Sequence, residues 1–383
     1  MRFTAALSVA TSTVLVMSAF VVSCAPPPVQ FPRVELESDL NQLLRDGNVP
    51  GAQLVATDGD HEIQLDGGFG DLAAETPFPD AARVRIASNT KAFVAAVVMQ
   101  LVSEGRAALD VAVEHYLPGM VTGPGGDGNR ITLRQLLSHT SGIPDYLPLL
   151  GLSSEADLQR SRPVHELIDI ALAQPALFEP GAEFRYSNTN YLLLGQVVER
   201  ITGASIADEV TRRVIRPLGL TDTYWPDYPT EQTIRGPHPR AYHYFGDGRV
   251  DITDIDPNWG LPDGAMVSSG RDLNRFFTAL LSDRLVPAAE FAEMTKTIAV
   301  HLPGISGVGL GLFRRTTSCG LEVWGHNGAI YGFSVLVAAT ATSAVTISFN
   351  QMPRLSDAAR FEPTVLVDKA LCALGNQATP SRR

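Results

Sequence analysis

The feature of this 383-residue chain that most constrains its fold is an ordered trio of short polar motifs. They are Ser88-Asn89-Thr90-Lys91, Tyr186-Ser187-Asn188 and His326-Asn327-Gly328. A Ser-x-x-Lys sequence alone carries little information, because a chain of this length contains about one by chance. The three motifs in this order predict a fold that brings them together as the active site of a serine acyl transferase.

The first motif lies at the start of a predicted helix that runs from 88 to 106. Ser88 would sit at the positive end of the helix dipole, near free backbone N–H groups that favour an oxyanion. Lys91 would project one turn further along the same face, within reach of the serine hydroxyl. The alternative is a helix-capping serine beside a solvated lysine. It is disfavoured because the surrounding positions are apolar, and a buried ammonium needs a partner or a lowered pKa.

The second motif is predicted to lie in a loop just before a helix, a place where side chains are positioned on a rigid scaffold. Tyr186 is the candidate general base, which would deprotonate Ser88 and later protonate the leaving group. Lys91 is expected to lower the pKa of the phenol and to hold it partly ionised. A tyrosine packed under a polar loop is the alternative interpretation.

The third motif falls among strand-like runs in the C-terminal part of the chain. His326 and Asn327 would lie on a strand near the sheet edge that faces Ser88. Gly328 would permit close approach of the substrate, and the N–H of the next residue could complete an oxyanion hole. A structural histidine beside a glycine turn is the alternative.

Composition indicates a folded chain and disfavours one class of partner. A hydrophobic content of 45% with 19% charged residues predicts one large domain or two intermeshed domains. The formal net charge of -11 argues against nucleic acid, which needs clustered Lys and Arg. The histidines are scattered without a metal-binding spacing, so no metal is expected.

The N-terminus is typical of an exported protein. Residues 1–23 combine an early cation with a long apolar run, which predicts a signal peptide rather than a structural helix. Cys24 follows small residues in a pattern that resembles a bacterial lipobox, and residues 24–33 are a Pro-rich tether. We therefore expect a lipoprotein anchored at Cys24 in the cell envelope. Simple secretion after cleavage nearby and a retained membrane anchor are the alternatives.

The remaining patterns predict an α/β (α+β) fold in which an antiparallel sheet is flanked by helices. Residues 34–110 and 252–383 would form one discontinuous sheet domain. Residues 111–251, rich in short helical patterns, would be an inserted all-α domain. In an exported protein, Cys319 and Cys372 fit a disulfide between a C-terminal strand and the last helix.

The motifs together resemble the penicillin-recognising serine hydrolases, in the branch of class C β-lactamases and actinomycete DD-carboxypeptidases. The runs ITLRQLLSHTSGIPDY, YSNTNYLLLGQVVERITG and GAMVSSGRDLNRFFTALL are similar at matching spacings. The resemblance covers nearly everything after the tether. It implies a β-lactamase/transpeptidase-like fold, with 34–383 as one catalytic unit, and an acyl-enzyme on Ser88 without a cofactor.

The same resemblance assigns further residues to the site. It implies an oxyanion hole formed by the backbone N–H groups of Ser88 and Ala329, and a Trp259 side chain that lines the cleft. It also matches the Cys319 and Cys372 pair to a disulfide of that group. The expected substrate-binding residues are Asn188, Trp259, His326, Asn327 and Gly328.

Three positions depart from the DD-carboxypeptidases, which hold the terminal carboxylate of the peptide with two threonines and an arginine. The corresponding residues here are Asn327, Ala329 and Phe313. Arg314 and Arg315 follow, but a one-residue slip on a strand turns a side chain to the opposite face. We therefore expect a weakened carboxylate clamp that suits esters, amides and other uncharged acyl donors.

Three functions follow from these observations. The first is a D-alanyl-D-alanine carboxypeptidase-like serine hydrolase that acts on peptidoglycan-type peptides or binds penicillin. The second is an esterase or a class C-like β-lactamase with altered carboxylate recognition. The third is a non-catalytic envelope-binding lipoprotein, since proteins of one fold need not share a function. We expect a monomer in each case.

Overall fold

The computed structural model describes residues 31–354 and 356–377. The predicted export signal (1–23), the lipidation site Cys24 and most of the tether (24–33) lie outside this part of the chain. None of the helices within it has the length and hydropathy that a bilayer crossing requires. The α-helices in this part are α1 (Arg33–Gly47), α2 (Thr90–Ser103), α3 (Leu133–Leu137), α4 (Glu155–Leu158), α5 (Val164–Leu172), α6 (Thr189–Thr202), α7 (Ile206–Val210), α8 (Arg216–Leu218), α9 (Gly270–Leu281), α10 (Ala288–Met294) and α11 (Pro363–Gln377).

The strands of the described residues form one large antiparallel sheet and two small two-stranded sheets. They are β1 (Gly51–Asp58), β2 (His61–Gly68), β3 (Arg83–Arg85), β4 (Tyr242–Phe245), β5 (Gly248–Asp251), β6 (Val267–Ser269), β7 (Gly307–Val308), β8 (Phe313–Thr316), β9 (Glu322–Gly325), β10 (Asn327–Ile330), β11 (Phe333–Ala339) and β12 (Ser343–Phe349). In the large sheet the order is β2-β1-β12-β11-β9-β8-β7, and β10 pairs with β11. The small sheets are β3-β6 and β4-β5.

The large sheet needs both ends of the chain. The N-terminal hairpin β1–β2 pairs through β1 with β12, and Leu54 lies opposite Ile347 in that pairing. Because successive side chains of a strand point to opposite faces, a central strand such as β11 supplies both cores. Val335 and Val337 of β11 join the larger core with α2 and α9, whereas Leu336 of β11 joins a smaller core with α1 and α11.

The helix α2 is buried in the larger core, which explains its composition. Its side chains are buried from Thr90 to Met99, as Phe93 and Val97 show, and Leu101 in the last turn is buried as well. Such a helix is held by packing on all sides rather than on one face. It fixes Lys91, at its N-terminal end, in the interior of the protein.

The predicted fold class, an antiparallel sheet with flanking helices, is confirmed. The segment 111–251 contains the helices α3 to α8, and it also ends in the hairpin β4–β5, a strand pair that the all-α prediction did not include. The predicted disulfide is present between Cys319 and Cys372, and it links the segment after β8 to α11.

Candidate active site

Ser88 lies in a short 3-10 turn, Ala87–Asn89, that leads directly into α2. The helix proper therefore begins two residues later than the sequence predicted, although the serine still faces its positive end. Ala87 has a left-handed backbone with φ of 48°, a strained conformation for a residue with a side chain. Such strain is typical of functional sites, and here it immediately precedes the candidate nucleophile.

Lys91 is completely buried and uses all three of its N–H donors. Its Nζ donates to Ser88 Oγ at 3.0 Å, to Asn188 Oδ1 at 2.8 Å and to the main-chain oxygen of Asp263 at 2.5 Å. Burial lowers the pKa of Lys91 to about 8, although the nearby carboxylates of Asp263 and Asp145 act in the opposite direction. The neutral fraction of Lys91 is therefore much larger than for an exposed lysine, although the ammonium still predominates at pH about 7, and a neutral amine next to Ser88 Oγ can accept its proton.

Tyr186 lies beside this pair, with Lys91 Nζ 5.1 Å from the centre of its ring. The ring stacks on His139 at a centroid distance of 4.2 Å. Burial raises the pKa of the phenol well above its usual range, and the neighbouring Ser88 hydroxyl only partly offsets this. The expectation that Lys91 holds the phenol partly ionised is therefore wrong, because desolvation by burial dominates and the nearby carboxylates of Asp263 and Asp145 act in the same direction. Tyr186 is a neutral phenol, suited to donating a proton.

The phenol oxygen of Tyr186 is buried, and it makes no well-directed hydrogen bond with any of the described residues. Ser88 is nevertheless close enough to affect its pKa. Catalytic hydrogen bonds are often poorly aligned before substrate binds. The phenol is thus free to bond a group that enters between it and Ser88.

Asn188 connects the second motif to the lysine. It precedes α6, its Oδ1 accepts from Lys91, and its Nδ2 donates to Asp145 Oδ2 at 3.0 Å. Because one amide group bridges an ammonium and a carboxylate, its orientation is fixed. The structure therefore places Asn188 as a support for Lys91, and it also lines the cavity in front of Ser88.

The third motif reaches the serine through β10. At Gly328 an added Cβ would come within 2.1 Å of the Ile86 carbonyl oxygen, so only glycine fits. This close approach brings Ala329 into the same cavity as Ser88. The two residues predicted to supply the oxyanion hole are thus brought together, where backbone N–H groups can stabilise a developing negative charge.

His326 is buried and its ring stacks on Phe313 at 4.4 Å. Burial and the Lys91 charge lower the pKa of His326 to about 3, so the imidazole is neutral at neutral pH. Its Nδ1 lies 2.6 Å from the main-chain oxygen of Asn327. The ring forms part of the cavity wall rather than a charged group.

These residues surround a cavity of about 830 Å³. Its inner end carries Ser88 and Tyr186, and its outer wall is largely apolar and aromatic, with Phe245 of the β4–β5 hairpin and Tyr331 stacked against each other. In the described part of the chain, no cluster of His, Cys, Asp and Glu has the arrangement that would hold a metal ion. A cavity of this size and character suits a small organic acyl group.

Comparison with known proteins agrees with this geometry. The family described as Beta-lactamase matches residues 36–367. This chain belongs to the beta-lactamase family. In the solved D-stereospecific amidohydrolase from Streptomyces sp., 35% of residues are identical, with a TM-score of 0.77, over 86% of this chain and 97% of that one.

Two further proteins that are similar to this chain are also named for hydrolysis of D-amino acid derivatives. The D-amino acid amidase from Ochrobactrum anthropi SV3, solved with L-phenylalanine amide, is 26% identical with a TM-score of 0.76, over 90% of this chain and 100% of that one. The D-aminopeptidase of Cereibacter sphaeroides is 27% identical over 79% of this chain. The chain spans 59% of the length of the first curated relatives and 56% of that D-aminopeptidase.

In this member of the beta-lactamase family, the two arginines that follow Phe313 do not both lie where the sequence predicted. Arg314 turns away and lies near Ser306 and Glu322. Arg315 lies on the same face of β8 as Phe313, because two residues complete one strand repeat. Its Nη2 donates to Asn327 Oδ1 at 2.7 Å. The one-residue slip thus turns Arg314 to the opposite face, as expected, but Arg315 returns to the face of Phe313 and its buried guanidinium does reach the third motif.

Trp259 does not line the cavity, which corrects the prediction. It is buried, its backbone is left-handed with φ of 52°, and its Nε1 donates to the Leu158 carbonyl at 2.6 Å. The neighbouring residues Asn258 and Asp263 line the cavity instead. The indole is directed into the helical layer by this hydrogen bond.

Sequence reasoning missed Asp263 and Asp145, and it considered Arg315 but set it aside. Asp263 follows Trp259 by four residues in a Leu-Pro-Asp-Gly turn, a signal that indicates only a loop. Asp145 lies in the Pro-Asp-Tyr end of the run ITLRQLLSHTSGIPDY, where no pattern marks it as a functional residue. Both carboxylates matter because they act on the charge of Lys91.

Proposed function

We propose that this chain is a serine amidohydrolase that cleaves amide or peptide bonds of D-configured substrates through an acyl-enzyme on Ser88. The observation that carries the proposal is the contact between Lys91 Nζ and Ser88 Oγ at 3.0 Å. Similarity to proteins named D-stereospecific amidohydrolase, D-amino acid amidase and D-aminopeptidase supports the substrate class.

Acylation begins at Ser88. Neutral Lys91 takes the hydroxyl proton as Oγ forms a bond to the substrate carbonyl carbon, and the backbone N–H groups of Ser88 and Ala329 stabilise the oxyanion. Tyr186 gives its phenolic proton to the leaving nitrogen as the C–N bond breaks. The Lys91 ammonium then returns a proton to the Tyr186 phenolate through a water, since Ser88 Oγ is now an ester oxygen, and the acyl-enzyme remains.

Deacylation repeats these roles with water. A water molecule replaces the departed amine and loses its proton to neutral Lys91 as it attacks the ester carbonyl. The bond from the carbonyl carbon to Ser88 Oγ then breaks, and the serine regains a proton from the Lys91 ammonium. The acid product leaves and the free site is restored.

A D-alanyl-D-alanine carboxypeptidase is the second candidate, and Arg315 is the observation that favours it. Its Nε and Nη1 have no hydrogen-bond partner among the described residues, although the side chain is only 8% exposed. By holding Asn327 Oδ1, it leaves the Asn327 Nδ2 group free to donate to a terminal carboxylate. Esterase and β-lactamase activities use the same serine and remain outcomes of the test.

The site of action that we propose is the cell envelope, with the chain attached through a lipid at Cys24. The support is the export-like segment 1–23 and the lipobox-like residues before Cys24. An envelope location would expose the cavity to peptides that contain D-amino acids.

The experiment is a hydrolysis panel run with purified protein and with Ser88→Ala. The panel contains D- and L-phenylalanine amide, a D-Ala-D-Ala-ended peptide with a free or amidated carboxyl end, a simple aryl ester and benzylpenicillin. We expect Ser88-dependent cleavage of the D-amide in preference to the L-amide. Preferred cleavage of the free-carboxyl peptide would establish the second candidate instead. Equal turnover of all substrates by Ser88→Ala would exclude both.

A further inference from the structure

Asp263 is a buried carboxylate at the inner end of the catalytic cavity, and one of its oxygens is unpaired. The residue is 3% exposed and lines the cavity that contains Ser88. Oδ2 accepts a hydrogen bond from the Tyr146 hydroxyl at 3.1 Å. Oδ1 has no partner among the described residues.

Lys91 does not supply that partner. Its three N–H groups are taken by Ser88, Asn188 and the main-chain oxygen of Asp263. The lysine charge therefore acts on the Asp263 carboxylate through space, without a hydrogen bond from the ammonium to Oδ1. A buried carboxylate oxygen without a donor is costly, and buried carboxylates in proteins are normally paired.

The charges around the site do not balance. Lys91 is one cation, and the two carboxylates that act on it belong to Asp263 and Asp145. The neighbouring phenols of Tyr146 and Tyr186 are neutral, because burial raises the pKa of each. The imidazoles that also face Lys91, those of His139 and His326, are neutral as well. Burial raises the pKa of both carboxylates, and when both are ionised Lys91 is the one cation among these groups that compensates them.

Asp145 differs from Asp263 in its hydrogen bonds. Its Oδ1 accepts from the backbone N–H groups of Leu147 and Asn188, and its Oδ2 accepts from Asn188 Nδ2. Both of its oxygens are therefore occupied. Of the two carboxylates, Asp263 is the one with an acceptor left for a ligand.

We propose that Asp263 Oδ1 binds a protonated amino group on the acyl part of the substrate, so that the preferred substrate carries a free amine next to the scissile carbonyl. This inference rests on the proposed function, since it assigns a substrate class to the same site. Ser88 Oγ and the Asp263 main chain are both bonded to one atom, Lys91 Nζ. The nucleophile and Asp263 therefore border the same inner end of the cavity, where an amine next to the reacting carbonyl would enter.

The competing role for Asp263 is purely internal, as a countercharge that sets the proton affinity of Lys91. The two roles separate when substrates with and without the amine are compared. A change in Lys91 affects every acyl donor by the same factor, whereas loss of an ammonium receptor affects only the donor that carries the ammonium.

The test compares D-phenylalanine p-nitroanilide with 3-phenylpropionyl p-nitroanilide, which lacks only the amine, at pH about 7, where most of a free α-amine is protonated. We expect wild-type protein to prefer the amine-bearing substrate in kcat/KM. In Asp263→Asn this preference should fall about 10- to 100-fold, the usual effect of one hydrogen bond between charged groups. In Asp145→Asn, the matched control, the preference should fall by less than about threefold.

An equal loss on both substrates in Asp263→Asn would overturn the inference and leave the proposed function intact. Absence of Ser88-dependent cleavage of either substrate by wild-type protein would overturn both. A second measurement avoids any folding defect of the variant. With wild-type protein, the preference should decline as pH rises through the pKa of the substrate amine, at about 7.7 to 8. A constant preference across that range would also overturn the inference.

Discussion

The base and the outer wall of the catalytic cavity are built in contrasting ways. At the base, the Lys91 ammonium is completely buried and all three of its N–H groups have acceptors. At the wall, Asn327 lines the cavity, and the Arg315 guanidinium lies behind it. That guanidinium is nearly as buried as Lys91, but among the described residues Asn327 is its one partner, and its Nε and Nη1 have none. Both cations are therefore largely hidden from water, but only Lys91 has a hydrogen-bond acceptor for each of its N–H groups.

This difference separates chemistry from recognition. A saturated network fixes Lys91 against Ser88 before substrate arrives, as preorganised catalysis requires. An unsaturated cation at Arg315 and an unsaturated carboxylate oxygen at Asp263 have donor and acceptor capacity left for a ligand. Changes at Ser88 or Lys91 should lower kcat for every substrate, whereas changes at Arg315 or Asp263 should alter which substrate is preferred.

The largest effect is expected for Lys91→Met, which removes the proton acceptor and the centre of the hydrogen-bond network at the inner end of the cavity. We expect the acylation rate to fall by about 10⁴-fold for every substrate. In the wild type, kcat/KM should rise with pH through about 8, because only neutral Lys91 accepts the serine proton and its folded-state pKa is about 8. Stopped-flow acylation rates across pH check both statements. A wild-type rate that is flat from pH about 6 to 9 would contradict this role for the lysine.

Tyr186→Phe should have the next largest effect, of about 10²-fold. The loss should be greater for an anilide than for an activated aryl ester, since only the poorer leaving group needs protonation. Steady-state kcat on the two substrates measures this difference. Tyr191→Phe is the control, because that phenol is also buried near Lys91 but donates to the Leu137 carbonyl. Equal losses on anilide and ester in Tyr186→Phe would argue against a general acid.

Arg315→Met removes the guanidinium that holds Asn327 in the wall of the cavity. The KM for a peptide with a free carboxyl end should rise about tenfold, because one charge-assisted interaction is lost. For the amidated peptide, KM should change by less than about threefold. The matched control is Arg314→Met, which removes the neighbouring guanidinium on the opposite face of β8. A uniform fall in kcat for both peptides would mean that Arg315 supports the catalytic step rather than recognition of the free carboxyl end.

The smallest effect is expected for Trp259→Phe. This substitution removes the hydrogen bond to the Leu158 carbonyl and leaves a buried acceptor, so the free energy of unfolding should fall by about 1 kcal/mol. Because the indole does not line the cavity, substrate preference should not change. Urea unfolding and the D-amide to L-amide ratio measure the two properties. A changed D-amide to L-amide ratio would indicate that Trp259 contacts the substrate in the cavity.

The base could be predicted from sequence because its parts lie within short motifs. Ser88 and Lys91 share one turn of chain, and Tyr186 and Asn188 share one loop. Once the local structure of a motif is predicted, the relative positions of its two functional residues follow. The fold class followed from the strand and helix patterns at the two ends of the chain in the same way. Sequence spacing is a sufficient guide where the functional groups are close neighbours along the chain.

The wall could not be predicted because its contacts join separate elements. The partnership of Arg315 with Asn327 depends on the register and side-chain face of β8 beside β10, and the position of Trp259 depends on a left-handed backbone and a distant carbonyl. The pKa of Tyr186 was predicted in the wrong direction because the degree of burial is a property of the folded chain. Desolvation, which no motif encodes, decided that sign.

The central claim is that Ser88 is the activated nucleophile, and labelling with an alkyl fluorophosphonate tests it most directly. In this reaction the serine oxygen forms a bond to phosphorus and fluoride leaves, so a stable adduct marks the residue that attacked. Intact mass and peptide mapping should show one adduct on Ser88 in wild-type protein. None should form in Ser88→Ala, and Ser153→Ala, which alters another serine of the same cavity, should label like wild type. Equal labelling of Ser88→Ala, or an adduct mapped to a different residue, would contradict the account.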